Sequence, residues 1–452
     1  MDLNHSGQLQ EFVNHPQVCR IVRPEISVRR GGDCPALLRL LASGHLRATA
    51  MAETRTRNSV CPFCSLLCDD LEVLVAGTRL RVLAPDCPQA AAGFAASATP
   101  RVRIRGRPAD YREAVAEAAR LLAASRLPLF AGLGCEGSGM RAALALARAT
   151  GAVLDHLHGD TLFANLRPMA RQGWVTATLA EIRNRADLLL FFGTDGRRLA
   201  PRLHERLRIP RPGVRLIYLG EDLEPGPGGE FLPCPRARLH DFAAALRARL
   251  RGRRVAADGE ERRRLDDLAG ALRAARYAVI VWAAGAFPAA TAELTVAGLA
   301  GLLRDLNATT RAVGLPLAAG DGLSCANTVT LWQTGVPLRT RLAPDGPEHE
   351  PRLWRGATLC EARRVDALLW ISALSPIPPP GTDLPTIALL HPDAQSARPA
   401  AVEIAVGVPG LDHGGFLDRT DGVVSLPLKG LRSSPLPPVA RVLDDIRAAL
   451  AA

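Results

Sequence analysis

A small cysteine-bearing β module followed by two doubly wound α/β lobes is the architecture this sequence predicts. Three observations carry that expectation. Strand-like runs repeatedly end in a glycine turn and lead into a segment of helical periodicity. The same plan occurs in both halves of the chain. Four cysteines stand together ahead of the first such unit, at Cys61, Cys64, Cys68 and Cys87. A strand, glycine turn, helix rhythm is the signature of parallel strands joined by helical crossovers, with ligands expected beyond the strand C-termini.

Taken in order, Leu71–Val75 and Leu80–Leu83 read as short strands about the turn Ala76-Gly77-Thr78. Tyr111–Ser125 places apolar residues at Ala114, Val115, Ala118, Leu121 and Leu122, the spacing of one helix face. Leu127–Gly132 is a buried strand opening into a turn, and Gly137–Thr150 a helix. Asp187–Phe192 and Val214–Leu219 are strands that end at Gly193 and Gly220. Pro225–Gly229 is a loop, Leu239–Arg251 a helix, and the charged stretch Arg253–Arg264 a solvated linker and helix start. A second alternating unit opens with strand Ala278–Ala283 and helix Ala289–Asn307. Strands at Ala367–Ile371 and Thr386–Leu390 flank the proline-rich loop Pro376–Pro380.

The segments expected are therefore 1–50, 51–104, 105–265 and 266–452. The first is a disordered extension or an over-extended reading frame with Met51 as the true start. The others are the cysteine module, the first lobe and the second lobe with a closing segment. At 452 residues, length alone allows about three domains.

Composition narrows the function classes. Hydrophobic residues are 48% of the chain, enough for a sizeable core, and aromatics only 4%. The formal net charge is +11, but the arginines are dispersed and no compact basic run or RNA-binding aromatic signature occurs, which argues against nucleic acid. Dispersed arginine suits acidic ligands or acidic partner surfaces. No uninterrupted apolar run of spanning length exists, so no membrane span is expected. Arg29-Arg30 precedes an apolar stretch broken by Arg39, His45 and Arg47, a poor export signal, so the cytoplasm is expected. The ten cysteines of so long a chain do not read as a disulfide framework.

The four clustered cysteines give C-x2-C-x3-C-x18-C. Three thiolates within eight residues can wrap one face of an iron–sulfur cube, and a fourth returns from a nearby loop. Tetrahedral zinc is the alternative, though its usual paired C-x2-C knuckles occur here only once; a metal-free remnant is a third reading. Pro62 and Pro88 fix the backbone beside two of the ligand positions. The other cysteines, including Cys135 after a strand and turn, are isolated and read as small buried apolar groups.

The stretch Cys61-Pro62-Phe63-Cys64-Ser65-Leu66-Leu67-Cys68-Asp69-Asp70 resembles the cluster loop of the formylmethanofuran dehydrogenase B-subunit family, within the molybdopterin oxidoreductase superfamily. Asn184–Leu188 with Phe192-Gly193 resembles that family's strand entering the pterin crevice, and Pro201-Arg202 its following motif. Asn327 with Trp332-Gln333-Thr334-Gly335-Val336-Pro337 matches a W-Q-T-G-x-P block, and Arg419–Val423 a closing R-x-D-G-V block. The similarity runs from about Cys61 to Lys429.

What the resemblance implies is specific. The fold would be molybdopterin-oxidoreductase-like, with a [4Fe–4S] cluster on the four cysteines. A vestigial pterin crevice would lie at Gly193, Asn327, Trp332, Thr334 and Gly335. Catalytic relatives bind molybdenum or tungsten through a cysteine or selenocysteine in an S-V-C-H-G-P-S-like loop. The corresponding stretch here is Gly159–Asn165, which puts Thr161 at the ligand position. A threonine hydroxyl has neither thiolate softness nor a low pKa. His156 and His158 nearby read as structural histidines, with metal or base roles the alternative. Gly220-Glu221-Asp222-Leu223-Glu224 sets three carboxylates where relatives carry a basic, phosphate-binding segment. A molybdenum or tungsten bis-pterin is therefore not expected.

The expectation is a non-redox scaffold subunit of a bacterial formyltransferase/hydrolase complex, partnered by A-, C- and D-type subunits. The alternatives are an active formylmethanofuran dehydrogenase subunit and a stand-alone iron–sulfur carrier.

Overall fold

The computed structural model describes residues 53–396 and 398–452; the expected extension 1–50 and the start at Met51 lie outside the described residues. A three-stranded antiparallel sheet opens the fold, Glu53–Ser59 against Leu71–Ala76 against Arg79–Ala84. The loop between the first two strands holds Cys61, Cys64 and Cys68. Cys87 precedes helix Pro88–Phe94, with proline in the first turn, where its missing N–H costs nothing.

Two larger sheets follow. One has five strands, all parallel, in the order Gly229–Pro233, Arg215–Gly220, Leu188–Phe192, Tyr277–Trp282, Arg311–Pro316. The other has nine. Its parallel centre runs Val153–Leu154, Pro128–Gly134, Ala367–Ser372, Thr386–Leu390, Val402–Ala405. Antiparallel strands extend it, Thr340–Ala343 and Gly346–His349 at one edge, Val102–Ile104 and Arg107–Pro108 at the other. The central strands are buried on both faces, which is why they read as continuous apolar runs such as Leu188–Phe192.

Most expected elements fall within a residue or two of their sequence bounds, helix Gly137–Thr150 and strand Thr386–Leu390 among them. Helix Tyr111–Ala124 carries the capping box of Asp110 and Glu113 at its start. Helix Gly137–Thr150 starts on the Glu136 carboxylate, which accepts from two backbone N–H groups, and stops at Gly151 in the left-handed conformation.

The domain boundaries need correction. The nine-stranded sheet takes residues 102–154 and 340–405, and the five-stranded sheet takes 188–316, so one lobe is inserted into the other. A division at 265/266 would cut the five-stranded lobe, because strand Tyr277–Trp282 pairs in parallel with Leu188–Phe192. Repeating strand-and-helix rhythm reports crossovers but not which sheet a strand joins. The first boundary also moves: Val102–Ile104 belongs to the nine-stranded sheet through Val402–Ala405, not to the cysteine module.

The stretch Gly159–Asn165, expected as a loop, is the start of helix Gly159–Gln172. Gly159 at its start and Pro168 inside it hid the helix from periodicity; proline removes one backbone donor yet is tolerated here among buried neighbours.

Candidate functional site

The cysteine loop folds on itself through a bond from the Cys61 N–H to the Cys68 carbonyl at 2.8 Å, with Leu67 in the left-handed region at φ 46°. All four cysteines are buried and free. The backbone N–H groups of Phe63 beside Cys61, and of Leu66 and Leu67 beside Cys64, act against the rise that burial imposes on those thiols. Such donors favour a thiolate ligand and tune its metal. Phe63 lies over Gly93, where any Cβ would sit 2.4 Å from its ring, and meets Phe94 edge-on at 5.5 Å. Helix Pro88–Phe94 is thereby held against the loop, which brings Cys87 to the other three.

Burial, reinforced by the other three sulfurs, pushes the Cys61 thiol well up. Burial likewise raises Cys64, and raises Cys68 to about 12 despite the opposing pull of Arg202 and Arg206. These thiols give up their protons only to a strong electrophile such as a metal. Among the described residues no group of three or more His, Cys, Asp or Glu side chains is gathered for a single ion. Four buried thiols are the donor set that an iron–sulfur cube takes, and the cube would supply one-electron chemistry when bound.

The loop is stitched to distant parts of the chain. Ser65 Oγ donates to the Ala318 carbonyl (3.0 Å), and the Ser65 carbonyl accepts from the Thr420 N–H (2.8 Å). Thr420 Oγ1 in turn accepts from the Ala318 N–H (2.9 Å). The R-x-D-G-V block is therefore a clasp on the cysteine loop. Its Arg419–Asp421 pair also anchors the helix Leu179–Arg185, because Asp421 accepts from the Leu179 N–H.

The two sites expected for a pterin are far from equivalent. The topological switch of the five-stranded sheet lies between Leu188–Phe192 and Tyr277–Trp282, the position where a doubly wound sheet binds its ligand. That crevice is packed with apolar side chains. A Cβ on Gly193 (φ 68°) would sit 2.8 Å from the Phe287 ring and 3.0 Å from Leu239. Phe287 is buried and meets Phe192 edge-on. Leu223, from the acidic loop, closes over Gly220 in the same way. Apolar plugs beside carboxylates do not fit a pyrophosphate, and these residues provide no cradle for a bis-pterin.

Gly193 follows strand Leu188–Phe192 of the five-stranded sheet, while Asn327, Trp332, Thr334 and Gly335 belong to another element. They lie on and after helix Leu323–Thr334, which packs on helix Gly137–Thr150 of the other lobe. Their visible work is local. Gly335 ends the helix in the left-handed conformation (φ 78°), Thr334 Oγ1 accepts from the Val336 N–H, and Asn327 Oδ1 from the Leu338 N–H. Trp332 is 64% exposed.

Thr161 lies on the first turn of helix Gly159–Gln172, facing Gly285 at the end of strand Tyr277–Trp282. It lines a cavity of ≈560 Å³ shared with Phe287, Arg339, Arg352 and Arg355. Arg339, which sequence reasoning missed, is buried with Asp155 (3.2 Å) and also holds Asp160, which Arg355 grips at 2.8 Å. The two arginines keep Asp160 ionised and far below the usual carboxylate range.

His156 and His158 do structural duty. His156 Nδ1 accepts from the His158 N–H, so the proton lies on Nε2, which donates to the Asp321 carbonyl; both distances are 3.0 Å. His158 Nε2 meets Asp321 Oδ2 at 3.0 Å. Burial, reinforced by His158, pushes His156 down to about 4. An unfolded histidine binds a proton near pH 6.5 while the folded one refuses it until about pH 4. Folding stability from this group is present above pH 6.5 and is lost as the pH falls towards 4. His156→Gln keeps an N–H donor without a titrating ring. The wild-type urea midpoint should therefore fall more steeply than the variant's between pH 7 and pH 4.5. Parallel pH profiles would refute this assignment.

Fold and site together define the class: an α/β subunit of two parallel-sheet lobes headed by a four-cysteine loop. No known family profile matches the chain. The B subunit of the formyltransferase/hydrolase complex Fhc of Methylorubrum extorquens is 36% identical over 323 residues, which is 70% of this chain and 87% of that relative. The B subunit of the tungsten-containing formylmethanofuran dehydrogenase 2 of Methanocaldococcus jannaschii is 25% identical over 407 residues, 81% of this chain and 92% of that relative. The Methanococcus maripaludis protein of the same description is 24% identical over the same length. One polypeptide in the crystal structure of the M. extorquens FhcABCD complex with methylofuran superposes with a TM-score of 0.68 and 32% identity, covering 77% of this chain and 98% of that one. The chain belongs to the family of formyltransferase/hydrolase complex B subunits.

Proposed function

We propose that this chain is the B subunit of a formyltransferase/hydrolase complex in one-carbon metabolism, the formaldehyde-oxidation route that uses tetrahydromethanopterin and a methanofuran-type carrier. Its own role is structural. Formyl transfer and formate release belong to partner subunits of A, C and D type, and this chain supplies part of the scaffold they assemble on, in the cytoplasm. No described helix is long and apolar enough to cross a membrane.

The observation that carries the non-redox reading is the switch-point crevice. Phe287, Leu239 and Leu223 occupy the space beside Gly193 and Gly220, and the resemblance puts Thr161 at the place of the heavy-metal thiolate. A bis-pterin has no seat, so the heavy-metal redox centre of the archaeal relatives has none. The intact four-cysteine loop supports the other reading, an active formylmethanofuran dehydrogenase subunit. It would serve there as an electron relay, and a relay needs a second centre to serve.

Purification of the tagged chain from its native host tests this. Expected are co-purifying A-, C- and D-type subunits, formyltransferase and formate-releasing activity in the assembly, and no molybdenum or tungsten. About one molybdenum or tungsten per chain, with formate-linked dye reduction, would instead establish the redox reading.

A further inference from the structure

We propose that Arg202 sets the electrostatic potential of the four-cysteine site, with Asp70 as its opposing counter-charge. The proposal rests on the reading that the cysteines hold an iron–sulfur cluster. Neither residue is one of the four cluster ligands; both act on the site through charge.

The geometry is a buried fork. Arg202 precedes helix Leu203–Leu207, and its side chain is 4% exposed. Nη1 and Nη2 donate to the two oxygens of Asp70, both at 2.7 Å. On its other side, Nε donates to Glu205 Oε2 at 2.8 Å and Nη2 to Oε1. Asp70 stands two residues after Cys68, so this bidentate bond sets a guanidinium against the cysteine loop. Arg206 adds a second, more exposed cation, bonded to Asp69 at 2.8 Å and to Asp70 at 3.2 Å.

The groups facing the loop from this side are thus two guanidiniums and three carboxylates: Arg202, Arg206, Asp69, Asp70 and Glu205. Arg202 is the most buried of them, and a charge acts most strongly where water screens it least.

The consequence is directional. Reducing an iron–sulfur cluster adds one negative charge, and its potential follows the surrounding charge and hydrogen bonding. Taking away Arg202 removes a cation and leaves Asp70 and Glu205 uncompensated, so reduction becomes harder. Neutralising Asp70 removes an anion and makes reduction easier. A fork that merely held the backbone in place would not give shifts of opposite sign.

The full-length chain is reconstituted anaerobically with ferrous iron and sulfide. Iron and sulfide are assayed, and the cluster is titrated with dithionite by electron paramagnetic resonance. Arg202→Gln should lower the midpoint by about 59 mV or more, a tenfold change in a one-electron equilibrium. Asp70→Asn should raise it, and Arg202→Lys should stay closer to wild type than Arg202→Gln. Should Arg202→Gln fail to fold, Asp70→Asn and the more exposed Arg206→Gln still give the two signs. Unchanged or same-sign midpoints in loaded variants would overturn the assignment of Arg202 alone. A wild-type chain that takes up no iron would overturn the cluster reading and this proposal with it.

Discussion

Replacing Arg432 with methionine should destabilise the fold by about 3–5 kcal/mol, the range found when one partner of a buried ion pair is removed. Neither side chain of the Arg432–Asp412 pair has significant contact with solvent. Arg432 Nε donates to Asp412 Oδ1 at 2.7 Å. Its remaining N–H groups reach the carbonyls of Thr78 (2.9 Å), Ala96 (2.7 Å) and Ser97 (2.8 Å). One guanidinium thus fastens the cysteine module, residues 78–97, to the closing segment near residue 432. Methionine approximates its length but offers no donor, leaving a buried carboxylate and three carbonyls short of partners. Urea unfolding at neutral pH measures the loss, and hydrogen exchange should show residues 78–97 opening first. A change below about 1 kcal/mol would mean that water replaces the arginine at little cost.

Cys64→Ser should abolish iron uptake. The wild-type chain is expected to take up about four iron and four sulfide per chain, as a four-thiolate cubane requires. Serine nearly matches cysteine in size, but it is a hard, weakly acidic ligand. Cys64→Ser should therefore keep the wild-type circular dichroism while losing most of its iron and its visible absorbance. Cys135→Ser is the control, since Cys135 is buried on the opposite lobe's core and not in the loop. Equal iron in Cys64→Ser and wild type would remove the four cysteines as the binding site.

Sequence and structure contribute differently to these predictions. The strands of both lobes were legible because parallel strands buried on both faces must be almost wholly apolar, as in Leu188–Phe192 and Ala367–Ser372. The cysteine loop was legible because its cysteines lie close in sequence, at Cys61, Cys64, Cys68 and Cys87. Helix Gly159–Gln172 was not, since Gly159 and Pro168 blur its pattern and its stability comes from tertiary neighbours. The W-Q-T-G block was recognisable as a motif, yet its position showed a helix ending rather than a place in the crevice.

By itself the sequence determined the local matters: which segments are strands and helices, and that four cysteines stand close together in the chain. Only the tertiary structure decided that the five-stranded lobe is inserted into the nine-stranded one, and that Phe287 and Leu239 close the crevice at Gly193. It alone joined Arg202 to Asp70 across 132 positions and Arg432 to Thr78 across 354. Periodicity and ligand spacing are imposed by the geometry of short backbone segments, so they are written in neighbouring residues. Strand pairing, the filling of a crevice and the burial of a charge are settled between residues far apart in the chain, and no local pattern records them.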